Sequence, residues 1–258
     1  MNYIVAENLV KKYSDGETAV SAVDDISFQI REGEFIGIMG ESGAGKSTLL
    51  GMMGAMNAPT SGRLIVDDID IYDLNQEQRA DFRREFLGFV FQSFHLVPYL
   101  TVIENVMLPL TVVKTKKKKK RSMAQDSLAQ VGLLEKAYRL PNQISGGEKE
   151  RVAIARAIVN EPPVLLADEP TGNLDTKTSQ EIMQLLRHLN GEGMTITMVT
   201  HSPECAAYAQ RIMQVTDGKL VEDSSKIRKI GKWQKKEIES ERLRNQNRMQ
   251  VAGSLHTG

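Results

Sequence analysis

Gly40-Glu41-Ser42-Gly43-Ala44-Gly45-Lys46-Ser47 places glycines, a lysine and a hydroxyl at the spacing that wraps a phosphate chain. The glycines let successive backbone N–H groups curl around phosphate oxygens. A helix opening near Lys46 and continuing through Thr48 adds unpaired amides and the positive end of its dipole. In that setting Lys46 is expected to reach the β- and γ-phosphates of a nucleoside triphosphate, and Ser47 to offer its hydroxyl to Mg2+. A second run, Val164-Leu165-Leu166-Ala167-Asp168-Glu169, is an apolar strand that ends in two carboxylates. Asp168 is then placed to hold Mg2+, and Glu169 to act as the general base on an attacking water. Together the two runs point to phosphoryl transfer to water.

Such groups meet only if several strands end side by side. Residues 35–39, 164–167 and 195–199 read as continuous buried strands, while 25–30 alternates apolar and polar side chains as a half-buried strand does. Helical patterns over 46–54, 148–159 and 179–189 lie between them. Strand, crossover helix and strand predict an α/β fold with a parallel sheet covered on both faces. Residues 101–110 and 121–131 have helical periodicity with no strand nearby, which predicts a helical insertion beginning near Gln92. After Gly218 the chain turns polar and basic, and 226–250 reads as an appended helix or tail.

The 258 residues are 41% hydrophobic and 26% charged, which excludes wholesale disorder and allows a sizeable core. Aromatic residues are only 5%, so that core is expected to be aliphatic. Lys+Arg and Asp+Glu both number 33, a balance that argues against a dedicated nucleic-acid binder. The balance is uneven along the chain. Residues 114–121 carry seven positive charges, and 226–248 carry nine against three acidic residues, so the remainder is net acidic. Cys205 stands alone, which excludes an internal disulfide and fits a reducing compartment. The first fifteen residues lack the apolar core of a signal peptide. No stretch approaches the ~20 apolar residues that cross a bilayer, so a cytoplasmic placement is expected.

Ile144-Ser145-Gly146-Gly147-Glu148, about 20 residues ahead of the acidic strand end, resembles the LSGGQ signature of ABC transporter ATP-binding subunits. The resemblance spans roughly residues 2–223. It implies a P-loop NTPase core of the ABC type, with an antiparallel β subdomain and a helical signature subdomain at about 92–160; 224–258 is left as a basic C-terminal extension. It also implies ATP and Mg2+ as cofactors and a head-to-tail homodimer around two ATP. Each ATP would lie between one subunit's phosphate loop and Ser145, Gly146 and Gly147 of the other. Ile144 for Leu and Glu148 for Gln depart from the signature but leave the Ser-Gly-Gly donors intact.

By the same resemblance Tyr13 stacks on adenine, Gln92 touches Mg2+ or the attacking water, and His201 hydrogen-bonds the γ-phosphate. Gly172-Asn173-Leu174-Asp175 matches the D-loop that crosses the dimer interface. Taken alone, Tyr13 reads as a packing residue, Gln92 as a solvated amide and His201 as structural. Residues 87–98, 104–110 and 171–175 are most similar to the MacB/LolD/FtsE-like group. That similarity implies an ATPase driving a separate membrane permease from the cytoplasmic face of the inner membrane, in export or mechanotransmission of the lipoprotein, macrolide or peptide type. The insertion after Gln92 would contact the permease, with Phe94, Leu96, Val97, Pro98 and Tyr99 as either a docking patch or ordinary core. The basic segments offer a contact to anionic lipid, and no nucleic-acid partner is expected. Two alternatives are a non-transport ABC ATPase and an ATP-dependent regulatory binding module. The repair-type members of the former carry a long coiled coil between phosphate loop and signature, a pattern this sequence does not show.

Overall fold

The computed structural model describes residues 2–15 and 18–225. The basic stretch 226–250 lies outside the described residues. β1 (Asn2–Asp15) and β2 (Thr18–Arg31) make a long antiparallel pair. Ile4, Ala6 and Leu9 of β1 are buried, but the spacing of two breaks after Ala6, where Asn8 adopts φ 48° and the register shifts. Such a bulge re-aims the following side chains, which is why simple alternation does not reveal this strand. β3 (Phe35–Met39) and α1 (Lys46–Met53) follow. The chain then returns as β4 (Ser61–Val66) and β5 (Ile69–Asp70), completing a four-stranded sheet in the order β2-β1-β4-β5.

α2 (Gln76–Phe86) leads into β6 (Leu87–Val90). α3 (Val102–Met107), a 3-10 turn at Leu108–Val112, α4 (Lys117–Gln130) and α5 (Gly146–Ile158) form the helical insertion. The helical pattern at 101–110 is therefore two elements. Pro109 has no N–H to continue an α-helix, and the backbone tightens there. α4 begins at Lys117, so the lysine run forms its first turn, while Ala124, Ser127 and Leu128 face inward.

The chain finishes with β7 (Val164–Asp168), α6 (Thr176–Gly191), β8 (Thr195–Val199), α7 (Pro203–Ala206), β9 (Arg211–Thr216) and β10 (Lys219–Ser225). The second sheet has the order β10-β9-β3-β8-β7-β6, with β10 antiparallel to β9 and the other neighbours parallel. Leu165 and Ala167 of β7 join the core under the helical insertion, whereas Val164 and Leu166 join the core shared with the antiparallel sheet. Both faces are dry, which explains the unbroken apolar runs in these strands.

Register places the functional groups. Ile38 pairs with Val199, Val199 with Asp168, and Ala167 with Val90. The carboxyl ends of β3, β8, β7 and β6 therefore line one edge. The segments beginning at Gly40, Thr200, Glu169 and Phe91 all leave the sheet there, where open α/β sheets form their binding crevices.

Candidate functional site

The loop from β3 to α1 has little side-chain bulk of its own. The N-cap of α1 is Gly45 at φ +94°, with no side-chain cap and no acidic residue in the first turn. A Cβ at Gly45 would overlap the Ala22 carbonyl oxygen of β2, so this position admits only glycine. Gly218 donates its N–H to the Ala44 carbonyl at 3.1 Å and accepts from the Asp24 N–H at 2.8 Å. The loop is thus seated against β2 and the β9–β10 turn. Lys46 is only 6% exposed, and its Nζ donates to the carbonyls of Gly40 (2.9 Å) and Glu41 (2.7 Å). The charge is held inside the loop, and the amides that open α1 have no side-chain cap among the described residues.

Across the strand ends, Ser47 Oγ donates to Asp168 Oδ1 at 3.2 Å. Burial raises the Asp168 pKa; the Ser47 hydrogen bond lowers it, the Glu169 charge adds to the rise and Lys46 opposes it. Glu169, the next residue, takes φ 47°, a conformation that carries strain for a non-glycine residue. Both of its carboxylate oxygens are occupied. Gln92 Nε2 donates to Oε2 at 3.0 Å, and His201 Nδ1 lies 3.1 Å from Oε1. A cleft of about 590 Å³ is lined by Ala22, Ser42, Gly43, Gly45, Lys46, Ser47, Thr48, Gln92, Glu169 and His201. Free amides and a lysine on one wall, with a carboxylate on the other, can hold a polyphosphate and take a proton from a water beside it.

The second glycine motif is elsewhere on the chain. Ser145 is the N-cap of α5: the Glu148 N–H donates to Ser145 Oγ at 3.3 Å, and the Ser145 N–H to Glu148 Oε2 at 2.9 Å. Lys136 pairs with Glu148 and, with the capping bonds, holds its carboxyl below the usual range. A Cβ on Gly147 would overlap the Thr178 methyl of α6, so the turn packs tightly against that helix. Asp175 caps α6, accepting from the Thr178 N–H at 3.0 Å and the Thr178 hydroxyl at 2.6 Å.

The lining of the cleft includes neither Ser145, Gly146, Gly147 nor Asp175, and Tyr13 is not on its wall. Tyr13 is 46% exposed on β1, with Lys11 Nζ 5.2 Å from its ring centre. Gly40, Glu41 and Ala44 serve through their backbone, in the hydrogen bonds given above. The segment Phe94–Tyr99 divides: Leu96 packs on the core, Phe94 and Val97 are half-buried, and Pro98 and Tyr99 are exposed, Tyr99 at 80%.

Three residues near the site escape the motifs. Ala22 forms wall, Asn173 Nδ2 donates to the Gln92 carbonyl at 3.0 Å, and Arg156 binds the backbone just past Gln92. Nothing in the local sequence marks Ala22 or Arg156; Asn173 sits within the D-loop match but has no role assigned by it.

A family model described as "ABC transporter" matches residues 23–172. The chain is 46% identical over 220 residues to the uncharacterized ABC transporter ATP-binding protein YvrO of Bacillus subtilis, spanning 85% of this chain and 96% of that one. It is 41% identical over 227 residues to the macrolide export ATP-binding/permease protein MacB of Bartonella henselae, covering 88% of this chain and 34% of that longer protein. Among solved structures it superposes with a TM-score of 0.79 and 41% identity on the cassette MJ0796 of Methanocaldococcus jannaschii, described as a dimer in a post-hydrolysis state bound to ADP and Pi. That match covers 86% of this chain and 98% of the other.

Proposed function

The chain belongs to the ABC transporter family of ATP-binding, ATP-hydrolysing subunits, and from that premise we propose how its own residues divide the work. The observation that carries the proposal is the convergence of Lys46, Ser47, Gln92, Glu169 and His201 on one cleft. Gly40, Glu41, Ser42, Gly43, Ala44, Gly45 and Thr48 cradle the phosphates through backbone and hydroxyl donors, and Lys46 exchanges its carbonyl partners for β- and γ-phosphate oxygens. His201 hydrogen-bonds the γ-phosphate. Glu169 accepts a proton from the attacking water, which Gln92 orients; for this, one of the carboxylate's present hydrogen bonds must yield.

The Ser47 hydroxyl beside the Asp168 carboxylate is a hard-oxygen donor pair that suits Mg2+, with the Gln92 side chain in reach of the same cleft. Among the described residues no cluster of three or more His, Cys, Asp or Glu could hold a metal ion, so such a cation would be shared with phosphate oxygens. When bound, Mg2+ neutralises charge that develops on the phosphates.

Ser145, Gly146 and Gly147 lie off the cleft wall, so we assign them to the nucleotide of a second copy, with Asp175 at the interface between copies and Tyr13 against adenine. The dimeric MJ0796 structure supports the pairing. ATP then joins two subunits, and hydrolysis parts them. A separate membrane permease receives this motion through the helical insertion, centred on Pro98 and exposed Tyr99. Among the described residues no helix is long and apolar enough to cross a membrane, which accords with peripheral attachment to such a partner at the cytoplasmic face of the inner membrane. The macrolide-export relative supports export as the coupled work. The lysine-rich first turn of α4 supports contact with anionic headgroups.

The test is the Glu169→Gln variant with Mg-ATP. Its mass in solution is expected to double, because the nucleotide is bound but not cleaved. A variant that binds ATP yet is never found paired would overturn the two-copy site.

A further inference from the structure

The segment that leaves β6 carries Gln92 and is gripped at three points. Asn173, in the loop before α6, donates to the Gln92 carbonyl. Asn105, fully buried on α3, accepts from the Val97 N–H at 2.7 Å and donates to the carbonyls of Val97, Leu100 and Thr101. Between these, Arg156 donates Nη2 to the Phe94 carbonyl at 2.8 Å and Nη1 to the His95 carbonyl at 2.6 Å. His95 is itself in a left-handed conformation, φ 47°, and its ring meets Phe91 edge-on at 5.2 Å. Of the three grips, Arg156 alone comes from α5, the helix that begins at Ser145.

The geometry makes this grip stiff. Ser145 and Arg156 are separated by about 16 Å of helix, at 1.5 Å per residue, with no break in between. A planar guanidinium bonded to two successive carbonyls resists both sliding and twisting, as a single ammonium would not. The guanidinium is half-buried: burial lowers its pKa, and Glu150 on the same helix, where ionised, opposes that effect. A tilt of α5 at its Ser145 end is thus delivered to the backbone two and three residues past Gln92.

We propose that Arg156 is a positioning residue that ties the helix offering Ser145 to one nucleotide to the segment offering Gln92 to the other, so that the two ATP sites of a pair are set together. This rests on the assignments of Ser145 and Gln92 made above.

The experiment measures turnover of the full-length chain as Arg156→Lys, as Gln92→Ala and as the double variant. Arg156→Lys keeps a cation near Glu150 and loses the fork. Each single change is expected to lower kcat, Arg156→Lys by roughly 10- to 100-fold, the scale of a small misplacement at a reacting centre, with little change in KM for ATP. In the Gln92→Ala background Arg156→Lys is expected to add no further loss, because both act through one group. Independent, multiplying losses overturn the inference, as does an unchanged kcat in Arg156→Lys. An unchanged kcat in Gln92→Ala overturns the assignment of Gln92 and the inference with it. A second reading needs no turnover: hydrogen exchange of Arg156→Lys is expected to quicken at the amides of residues 92–97 and not in α1. Exchange that is unchanged, or faster throughout, overturns the proposal.

Discussion

Two helices of this molecule begin on glycines, and they treat the same resource in opposite ways. α1 opens on Gly45 with no side-chain cap and no acidic residue in its first turn, and its lysine is stored in the loop beneath. α5 opens on Ser145 with its hydroxyl and amide already exchanged with Glu148, whose carboxylate is held in turn by Lys136. Every helix start offers unpaired N–H groups and a positive dipole end. At α1 no side chain among the described residues consumes them, so that end has an affinity for phosphate of its own. At α5 the chain consumes part of them itself, so an incoming phosphate must compete with a resident carboxylate. On the assignments proposed above, the difference predicts an order: nucleotide settles first on α1, and the α5 of a second copy closes over it afterwards.

The largest test of the open end is Lys46→Ala. Phosphate release is expected to fall below detection and ATP affinity, read by calorimetry, to drop with it; retained hydrolysis would mean that α1 is not the primary phosphate site. Glu169→Gln acts between the two ends, so turnover is expected to fall about 10²- to 10⁴-fold, the range for a general base, while ATP affinity persists. On the closed end, Glu150 of α5 is 1% exposed, and its Oε1 has no hydrogen-bond partner among the described residues. Burial pushes its carboxyl up to about 8, with Arg156 opposing. A carboxyl raised on folding favours the folded state when protonated, so its contribution is lost as pH rises from about 4.5 to about 8. Glu150→Gln should therefore be more stable to chemical denaturation than the parent chain at pH 9, by a few kcal/mol at about 1.4 kcal/mol per pKa unit, and of nearly the same stability at pH 4. Equal gains at both pH values would refute this.

Smaller effects sharpen the same contrast. Ser145→Ala removes a cap worth about 1 kcal/mol. It should weaken ATP-dependent pairing seen by light scattering while leaving ATP binding to the single subunit unchanged; weaker binding to the single subunit would break the division between the two ends. Glu148→Gln keeps a capping amide and removes the competing charge. Pairing is expected to tighten only a few-fold, with a weaker dependence on salt, as for one partly screened charge. Looser pairing would show that the carboxylate helps the interface.

The phosphate loop and the acidic strand end were legible because each is a contiguous run whose residue types state their own chemistry. The buried parallel strands were legible for a related reason, since burial on both faces writes an unbroken apolar string. Of the antiparallel sheet only residues 25–30 of β2 showed in the pattern, and the rest came through resemblance: the bulge at Asn8 disturbs the alternation of β1, and β5 is two residues long. Long-range polar contacts could be read only where two motifs shared a ligand, as Ser47 and Asp168 do, and not as direct bonds. Gln92 and Glu169 are 77 residues apart and Arg156 and His95 61, and such meetings are decided by strand order and register, not by local pattern. Asp175 illustrates a further limit. Its match to an interface motif is compatible with what the fold gives it, the cap of α6.

The absence of room at Gly45 has a mechanical result. With the Ala22 carbonyl oxygen where a Cβ would go, and Gly218 bonded both to Ala44 and to Asp24 beside it, the hairpin bearing Tyr13 and the turn bearing Lys46 are held from sliding past one another. On the proposed assignments, the Tyr13 and Lys46 ends of the nucleotide bed would therefore travel as a single jaw, with opening and closing hinged elsewhere.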